Sequence, residues 1–158
     1  MRHQEVIIEL IRKNGYRRIA EVGVCKGYTA FTALDRCEVE VYYAIDSRFN
    51  PEFYQHLTQH YYPELKVYSI TSREAAGQIP SNLDLVFIDA DHSEAAVVYD
   101  ICLWLPKVRP GGILCGHDYG SPKWQGVKAA VDRVLDRDKV ELVDTKGVKL
   151  WIDKKPSP

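Results

Sequence analysis

Ala20-Glu21-Val22-Gly23-Val24-Cys25-Lys26-Gly27 is the stretch whose reading decides the fold. It follows a short basic lead-in, Tyr16-Arg17-Arg18-Ile19, and runs into Tyr28-Thr29-Ala30-Phe31. An apolar run ends in a glycine turn, and a helix-like segment begins. Such a unit presents backbone N–H groups at a helix N-terminus. Gly23 and Gly27 lack a Cβ and tolerate positive φ, so a ligand can come close to the turn. Glu21 limits which ligand that is, because a carboxylate at a strand end repels a pyrophosphate and attracts an ammonium. The spacing is also not the G-x-G-x-x-G of a dinucleotide site. The stretch favours a nucleoside that carries a positive charge.

Composition narrows the classes around this unit. The chain has 158 residues, enough for one domain with a core, expected to span 1–158. Its net charge is −1, which leaves no electrostatic footprint for nucleic acid. No apolar run reaches the roughly 18 residues of a membrane span, so no membrane partner is expected. The N-terminus opens an amphipathic pattern and not a signal peptide. Cys25, Cys37, Cys102 and Cys115 form no C-x-x-C pair and read as reduced, mostly buried thiols of a cytoplasmic protein. Residues 154–158 read as a loose tail.

Outward from the glycine turn, strands and helices alternate. Val6, Ile7, Leu10 and Ile11 predict a helix over 3–14, ended by Asn14-Gly15. Strands are predicted over 18–24, 39–45, 66–70, 84–89 and 111–116, with helices over 29–35, 51–61, 72–76, 94–105 and 127–135. Residues 140–144 and 148–152 predict a closing hairpin around Lys146-Gly147. This order implies an α/β fold. Its sheet is doubly wound, Rossmann-like, seven-stranded and mostly parallel, with an antiparallel C-terminal hairpin strand and helices on both faces. Ligands bind such sheets outside the C-terminal strand ends, near the topological switch point.

Glu21, Asp46, Ser72, Asp89 and Asp118 are the polar residues at those ends. Asp46 ends the second strand about 20 residues after the turn, where a carboxylate accepts both ribose hydroxyls. It also fits a helix cap, and it does not separate one nucleoside cofactor from another. Phe87-Ile88-Asp89-Ala90-Asp91-His92-Ser93 crowds potential ligands at the end of one apolar strand, and Gly116-His117-Asp118-Tyr119 ends the next. Parallel neighbours lie about 5 Å apart, so the two clusters can meet. Oxygen-rich clusters suit Mg²⁺ or Ca²⁺, and His92 and His117 would admit Mn²⁺, Fe²⁺ or Zn²⁺. Trp104 and Trp151 read as core or interface residues. Trp124 follows the proposed metal acid in a loop that reads as a packing anchor or a border of the acceptor pocket.

Glu21-x-Gly23-x-x-x-Gly27 resembles the first motif of class I S-adenosylmethionine-dependent methyltransferases. The later pair, Ile-Asp-Ala-Asp-His-Ser and Gly-Gly-Ile-Leu-Cys-Gly-His-Asp-Tyr, resembles bacterial metal-dependent O-methyltransferases of the catechol- and caffeoyl-CoA-like type and their sugar- and polyketide-tailoring relatives. The resemblance implies S-adenosyl-L-methionine as cofactor. Glu21 would hold the methionine ammonium, and the turn with Gly23, Cys25 and Gly27 would let the cofactor approach. Asp46 would bind the ribose, while Ser72, Arg73 and His92, beside Asp89, would border the adenine. Asp89, Asp91 and Asp118 would hold Mg²⁺ or another divalent ion against a small-molecule acceptor. Ser72 with its nearby acid fits a helix N-terminus equally well.

Two departures stand out. Tyr119 follows Asp118 where the catechol-type enzymes have Asn, and His92-Ser93-Glu94 replaces their catalytic Lys. His92 and His117 are then the candidate catalytic bases. A metal-free methyltransferase with a His base and a non-catalytic nucleoside-binding module both stay open. A nicotinamide oxidoreductase is disfavoured by Glu21. Only residues 3–14 precede the first strand, so an open acceptor site is expected. It suits a bulky acceptor, a second copy of the chain as cover in a homodimer, or a lost activity.

Overall fold

Val6, Ile7 and Ile11 are buried in the first helix, α1 (His3–Asn14), as their spacing predicts, while Ile8 is buried with them and Leu10 is only half-buried. Gly15 ends α1 at φ 63, with its N–H on the Arg12 carbonyl. The chain then runs β1 (Arg18–Val22), α2 (Tyr28–Arg36), β2 (Val41–Ile45), α3 (Pro51–Leu57), β3 (Leu65–Tyr68) and α4 (Ser72–Gln78). It continues β4 (Leu83–Ile88), α5 (Glu94–Trp104), β5 (Val108–Tyr119), α6 (Gln125–Val134), β6 (Val140–Asp144) and β7 (Lys149–Lys154). The computed structural model describes residues 1–157.

All seven strands join one sheet in the order β3-β2-β1-β4-β5-β7-β6. Strands β1 to β5 pair in parallel, and β7 runs antiparallel to both β5 and β6. The expected doubly wound sheet is therefore present, with the reversal of strand order beside β1. Side chains alternate between two cores, as the two-residue repeat of a strand requires. Ala20, Val22, Val86 and Ile88 meet α4, α5 and α6 through Ala75, Ile101, Trp104 and Val131. Ile19, Leu85 and Phe87 meet α1, α2 and α3 through Ile7, Phe31 and Phe53. Every residue of β4 is buried, and each large apolar side chain there is worth about 1.5–3 kcal/mol. Trp104 and Trp151 are core residues, as their spacing suggests.

Some boundaries differ from the sequence reading. β5 begins at Val108, before the glycines expected to form a turn, because Gly111 and Gly112 sit in an irregular step of the β4–β5 pairing. A Cβ on Gly112 would meet the Asp84 carbonyl at 2.7 Å, so a larger residue could not hold that register. Helix α3 stops at Leu57, where the Thr58 hydroxyl donates to the Gln55 carbonyl. The expected loose tail is tied down: Lys154 belongs to β7, and the Gly111 N–H reaches the Lys155 and Pro156 carbonyls. Pro158 lies outside the described residues. Of the four cysteines, all free, only Cys115 is buried, because the chain places Cys25 in an open turn and Cys102 on the outer side of α5. Among the described residues no helix is long and apolar enough to cross a membrane.

Candidate functional site

Three strand ends converge beside β1. The Gly23 N–H bonds the Ile45 carbonyl at 2.8 Å and the Asp89 N–H bonds the Val22 carbonyl at 2.8 Å, which draws the ends of β2, β1 and β4 together. Gly23 takes φ 92, and a Cβ there would lie 2.1 Å from the Asp89 carbonyl oxygen. The close approach that requires glycine is therefore made by the protein's own backbone. Gly27 starts α2 at φ 83 with Phe31 and Phe53 against it, and it does not line the cleft. Past Gly23 the chain turns through Cys25, at φ 52.

Asp46 pins this turn. Its carboxylate accepts the Cys25 N–H at 2.8 Å on one oxygen and the Arg48 N–H at 2.8 Å on the other. Each oxygen keeps a lone pair for a ligand hydroxyl. A cleft of about 580 Å³ opens here, within the range of small-molecule sites. Gly23, Cys25, Asp46, Ser72, Arg73, Asp89 and Asp91 are among the residues that line it.

Glu21 does not line the cleft. Strand alternation turns it to the α1–α3 side, where it is 2% exposed and accepts the Tyr42 hydroxyl at 2.7 Å. Burial pushes its carboxyl up to about 8, against the Tyr42 and Thr29 hydroxyls, which lower it, while Asp89 adds to the rise. It is thus neutral at pH 7, which removes the charge expected to hold an ammonium. Ser72 is not the helix cap: Thr71 caps α4 in a reciprocal capping box with Glu74. Ser72 instead donates its hydroxyl to Asp100 at 2.5 Å and accepts the Trp104 indole N–H at 2.9 Å.

The second cluster adjoins the cleft at Asp89. Asp89, His92 and Asp118 each present a ligand atom, all within 4.8 Å of one another. His92 Nε2 lies 3.0 Å from Asp118 Oδ2 and 3.4 Å from Asp89 Oδ1. The Asp89 hydrogen bond holds the imidazole above its ordinary value against the lowering by burial, with Asp118 adding to the rise. Two carboxylates and an imidazole suit a hard or borderline divalent cation, so the donor set fits such an ion. The expected trio of Asp89, Asp91 and Asp118 is not assembled. Asp91 turns back to accept the Ser93 N–H at 2.8 Å at the start of α5, and His92 takes its place. Asp118 reaches the cluster from a left-handed backbone, φ 60, at the irregular end of β5. His92 lines a small pocket behind the cluster and is not on the wall of the large cleft. Both nitrogens of His117 are engaged, Nδ1 3.3 Å from Asp118 Oδ2 and Nε2 3.1 Å from the Thr145 hydroxyl. Trp124 stacks on His92, ring centroids 4.5 Å apart at 18°, and borders the cluster while staying partly exposed.

Residues 20–119, from the first strand to the end of β5, match the family model described as "Methyltransferase domain". The chain belongs to this methyltransferase domain family. The O-methyltransferase from Bacillus cereus, solved with S-adenosylhomocysteine, aligns over 95% of this chain and 78% of its own at 17% identity and TM-score 0.75. TomG from Streptomyces achromogenes, an O-methyltransferase of tomaymycin synthesis solved with S-adenosylmethionine, aligns over 99% and 80% at 18% identity and TM-score 0.74. At those identities the likeness is one of fold. An uncharacterised protein of Acanthamoeba polyphaga mimivirus is 33% identical over 58 residues, 36% of this chain and 26% of that protein. This chain thus spans about a quarter of that curated relative.

Two residues beside the candidate site escape sequence reading. His3, at the start of α1, sets its ring 4.5 Å from that of His117 and 5.9 Å from that of Phe87. Asp100, in the middle of α5, lines the cleft although only 5% exposed. An acid within an otherwise apolar helical run was the one available signal for Asp100. His3 had none, because its neighbours come from distant segments.

Proposed function

We propose that this protein transfers a methyl group from S-adenosylmethionine to a hydroxyl of a small molecule, with a divalent ion held by Asp89, His92 and Asp118. The observation that carries the reading is the double position of Asp89, which lines the nucleoside-sized cleft and belongs to the cation-ligand cluster. Donor and acceptor sites therefore share a wall. The family supports methyl transfer, and the two solved relatives, both O-methyltransferases, support an oxygen acceptor.

Asp46 accepts the ribose hydroxyls while the Cys25 and Arg48 amides keep its oxygens fixed. The turn at Gly23 holds the sulfonium end near Asp89. Trp124, stacked on His92, keeps water from one side of the cluster. Asp89, His92 and Asp118 would hold a divalent ion, which would supply Lewis acidity toward an acceptor hydroxyl. The protein's own part is alignment, since in-line transfer depends on placing oxygen, methyl and sulfur together. The same triad supports a second reading without metal, in which His92, oriented by Asp89 and Asp118, takes the acceptor proton.

Methyl transfer to a panel of phenols, catechols and sugar hydroxyls, with Mg²⁺ or Mn²⁺ and after chelation, tests this. Turnover should vanish on chelation and return with metal. Asp118→Asn should lower it about 100-fold or more while leaving S-adenosylhomocysteine affinity within about threefold. Turnover indifferent to chelator would favour His92 as base, and absence of transfer to every acceptor class would count against the activity.

A further inference from the structure

We propose that His117 is a positioning residue for the cation site: its Nδ1–H steadies Asp118, and Thr145, in the turn between β6 and β7, sets the imidazole that way round. This rests on the divalent-ion reading above and deepens it. Asp118 has little else to orient it. Its backbone is left-handed, at φ 60, where residues other than glycine are uncommon. The Asp46 carboxylate is pinned by two backbone amides. Among the described residues the polar partners of the Asp118 carboxylate are two imidazoles, His92 Nε2 at 3.0 Å and His117 Nδ1 at 3.3 Å, both at Oδ2. His92 brings that same Nε2 to the cluster as its ligand atom, so in a loaded site His117 is the partner that Asp118 keeps.

Distant segments fix the His117 ring. Its Nε2 lies 3.1 Å from the hydroxyl of Thr145, which is itself buried. His3, at the start of α1, packs its ring 4.5 Å away at 52°. The Thr145 hydroxyl is also 3.1 Å from the Val148 carbonyl, which already accepts the Thr145 N–H at 2.7 Å. A neutral ring then has two arrangements, since the bond at one nitrogen decides where the proton sits. With the hydroxyl proton on Val148, the ring carries its own proton on Nε2 and turns a bare lone pair on Nδ1 toward the Asp118 carboxylate. These repel. With the hydroxyl proton on Nε2, the ring proton sits on Nδ1 and faces Asp118, so each donor meets an acceptor. At 3.3 Å that contact is longer than an ordinary N–H···O bond, and it acts as a dipole turned toward a charge.

Partners one step behind a metal ligand commonly change metal affinity by about 10- to 100-fold when removed. His117 lines the small pocket behind the cluster and is not on the wall of the large cleft. Its loss should therefore reach the cation and spare the cofactor, whereas general damage to the fold would reach both.

Calorimetric titration of the full chain with Mn²⁺ reads the effect without turnover. His117→Phe keeps a flat ring without the N–H and should weaken Mn²⁺ binding about 10-fold or more. His117→Asn offers an amide N–H at about the reach of Nδ1 and should restore affinity to within about threefold. Both should bind S-adenosylhomocysteine within about threefold of the unaltered protein. Nitrogen-15 NMR of the unaltered protein at about pH 8, above the ordinary His range, should find His117 protonated at Nδ1 with Nε2 bare, and Thr145→Val should move the Nε2 resonance. Mn²⁺ binding indifferent to His117→Phe, or a loss that His117→Asn does not repair, would overturn this inference alone. So would a parallel loss of S-adenosylhomocysteine affinity, a proton on Nε2, or an Nε2 resonance unmoved in Thr145→Val. No Mn²⁺ binding by the unaltered protein would overturn the divalent-ion reading and this inference together.

Discussion

Replacing Glu21 with Gln should flatten the pH dependence of this protein's stability. Burial holds the Glu21 carboxyl at about 8 in the folded chain, despite its bonds to Tyr42 and Thr29, against an ordinary value of 4.5. Between those two values the folded chain keeps a proton that the unfolded chain has released. The stability tied to that proton is fully present below about pH 4.5 and is lost as pH rises through about 8. Each pH unit of that interval is worth about 1.4 kcal/mol, so the whole effect is about 5 kcal/mol, or about 10–20 °C in melting temperature for a chain of this size. Urea denaturation of both proteins from pH 5 to pH 9 measures it. At pH 5 the two should agree within about 1 kcal/mol, and by pH 9 Glu21→Gln should be the more stable by about 5 kcal/mol. Curves that stay parallel to within about 1 kcal/mol across that range would refute a protonated Glu21. Because Glu21 is neutral at pH 7 and off the cleft wall, the same substitution should leave S-adenosylhomocysteine affinity within about threefold.

Gly23→Ala should cost about 4 kcal/mol or more, because its Cβ would meet the Asp89 backbone. Gly120→Ala, at φ 76 but facing open space, should cost only the backbone strain of about 1–2 kcal/mol, and comparing their denaturation midpoints separates clash from strain. Asp84→Ala should destabilise by about 2–4 kcal/mol, since it strips the acceptor from the Arg17 and Arg18 N–H groups and from Arg109. Burial raises the Asp84 carboxyl, but those donors outweigh it and hold it below its ordinary 3.8. Its contribution is therefore present above that pH and lost as the solution is acidified further, and S-adenosylhomocysteine affinity should not change.

The sheet was legible because each strand is a short apolar run with its own punctuation. Glu21 to Gly27 marked the first crossover, and the uninterrupted apolar run of β4 marked a strand buried on both faces. The clustering of Asp89 with Asp118 was legible too, since both end strands that the topology makes neighbours. Which side chain joins them was not. Asp91 and His92 are adjacent, and the choice between them depends on the Ser93 N–H that captures Asp91 at the start of α5. Glu21 shows the complementary failure. Its position near the strand end was right, but which sheet face Glu21 shares with Tyr42 and the α1–α3 core is decided by the topology of the whole sheet, which the local run does not carry. Asp84, like Asp100 and His3, acquires its role from partners many residues away, which local pattern does not carry.

Calorimetric titration of S-adenosylhomocysteine into the unaltered protein and into Asp46→Ala is the most direct test of the central claim. Binding in the micromolar range should be seen with the unaltered chain. Asp46→Ala should weaken it about 30-fold or more, because the variant loses both the ribose acceptor and the group that pins Cys25. No heat of binding, or equal affinity in both proteins, would contradict the assignment of this cleft to the cofactor.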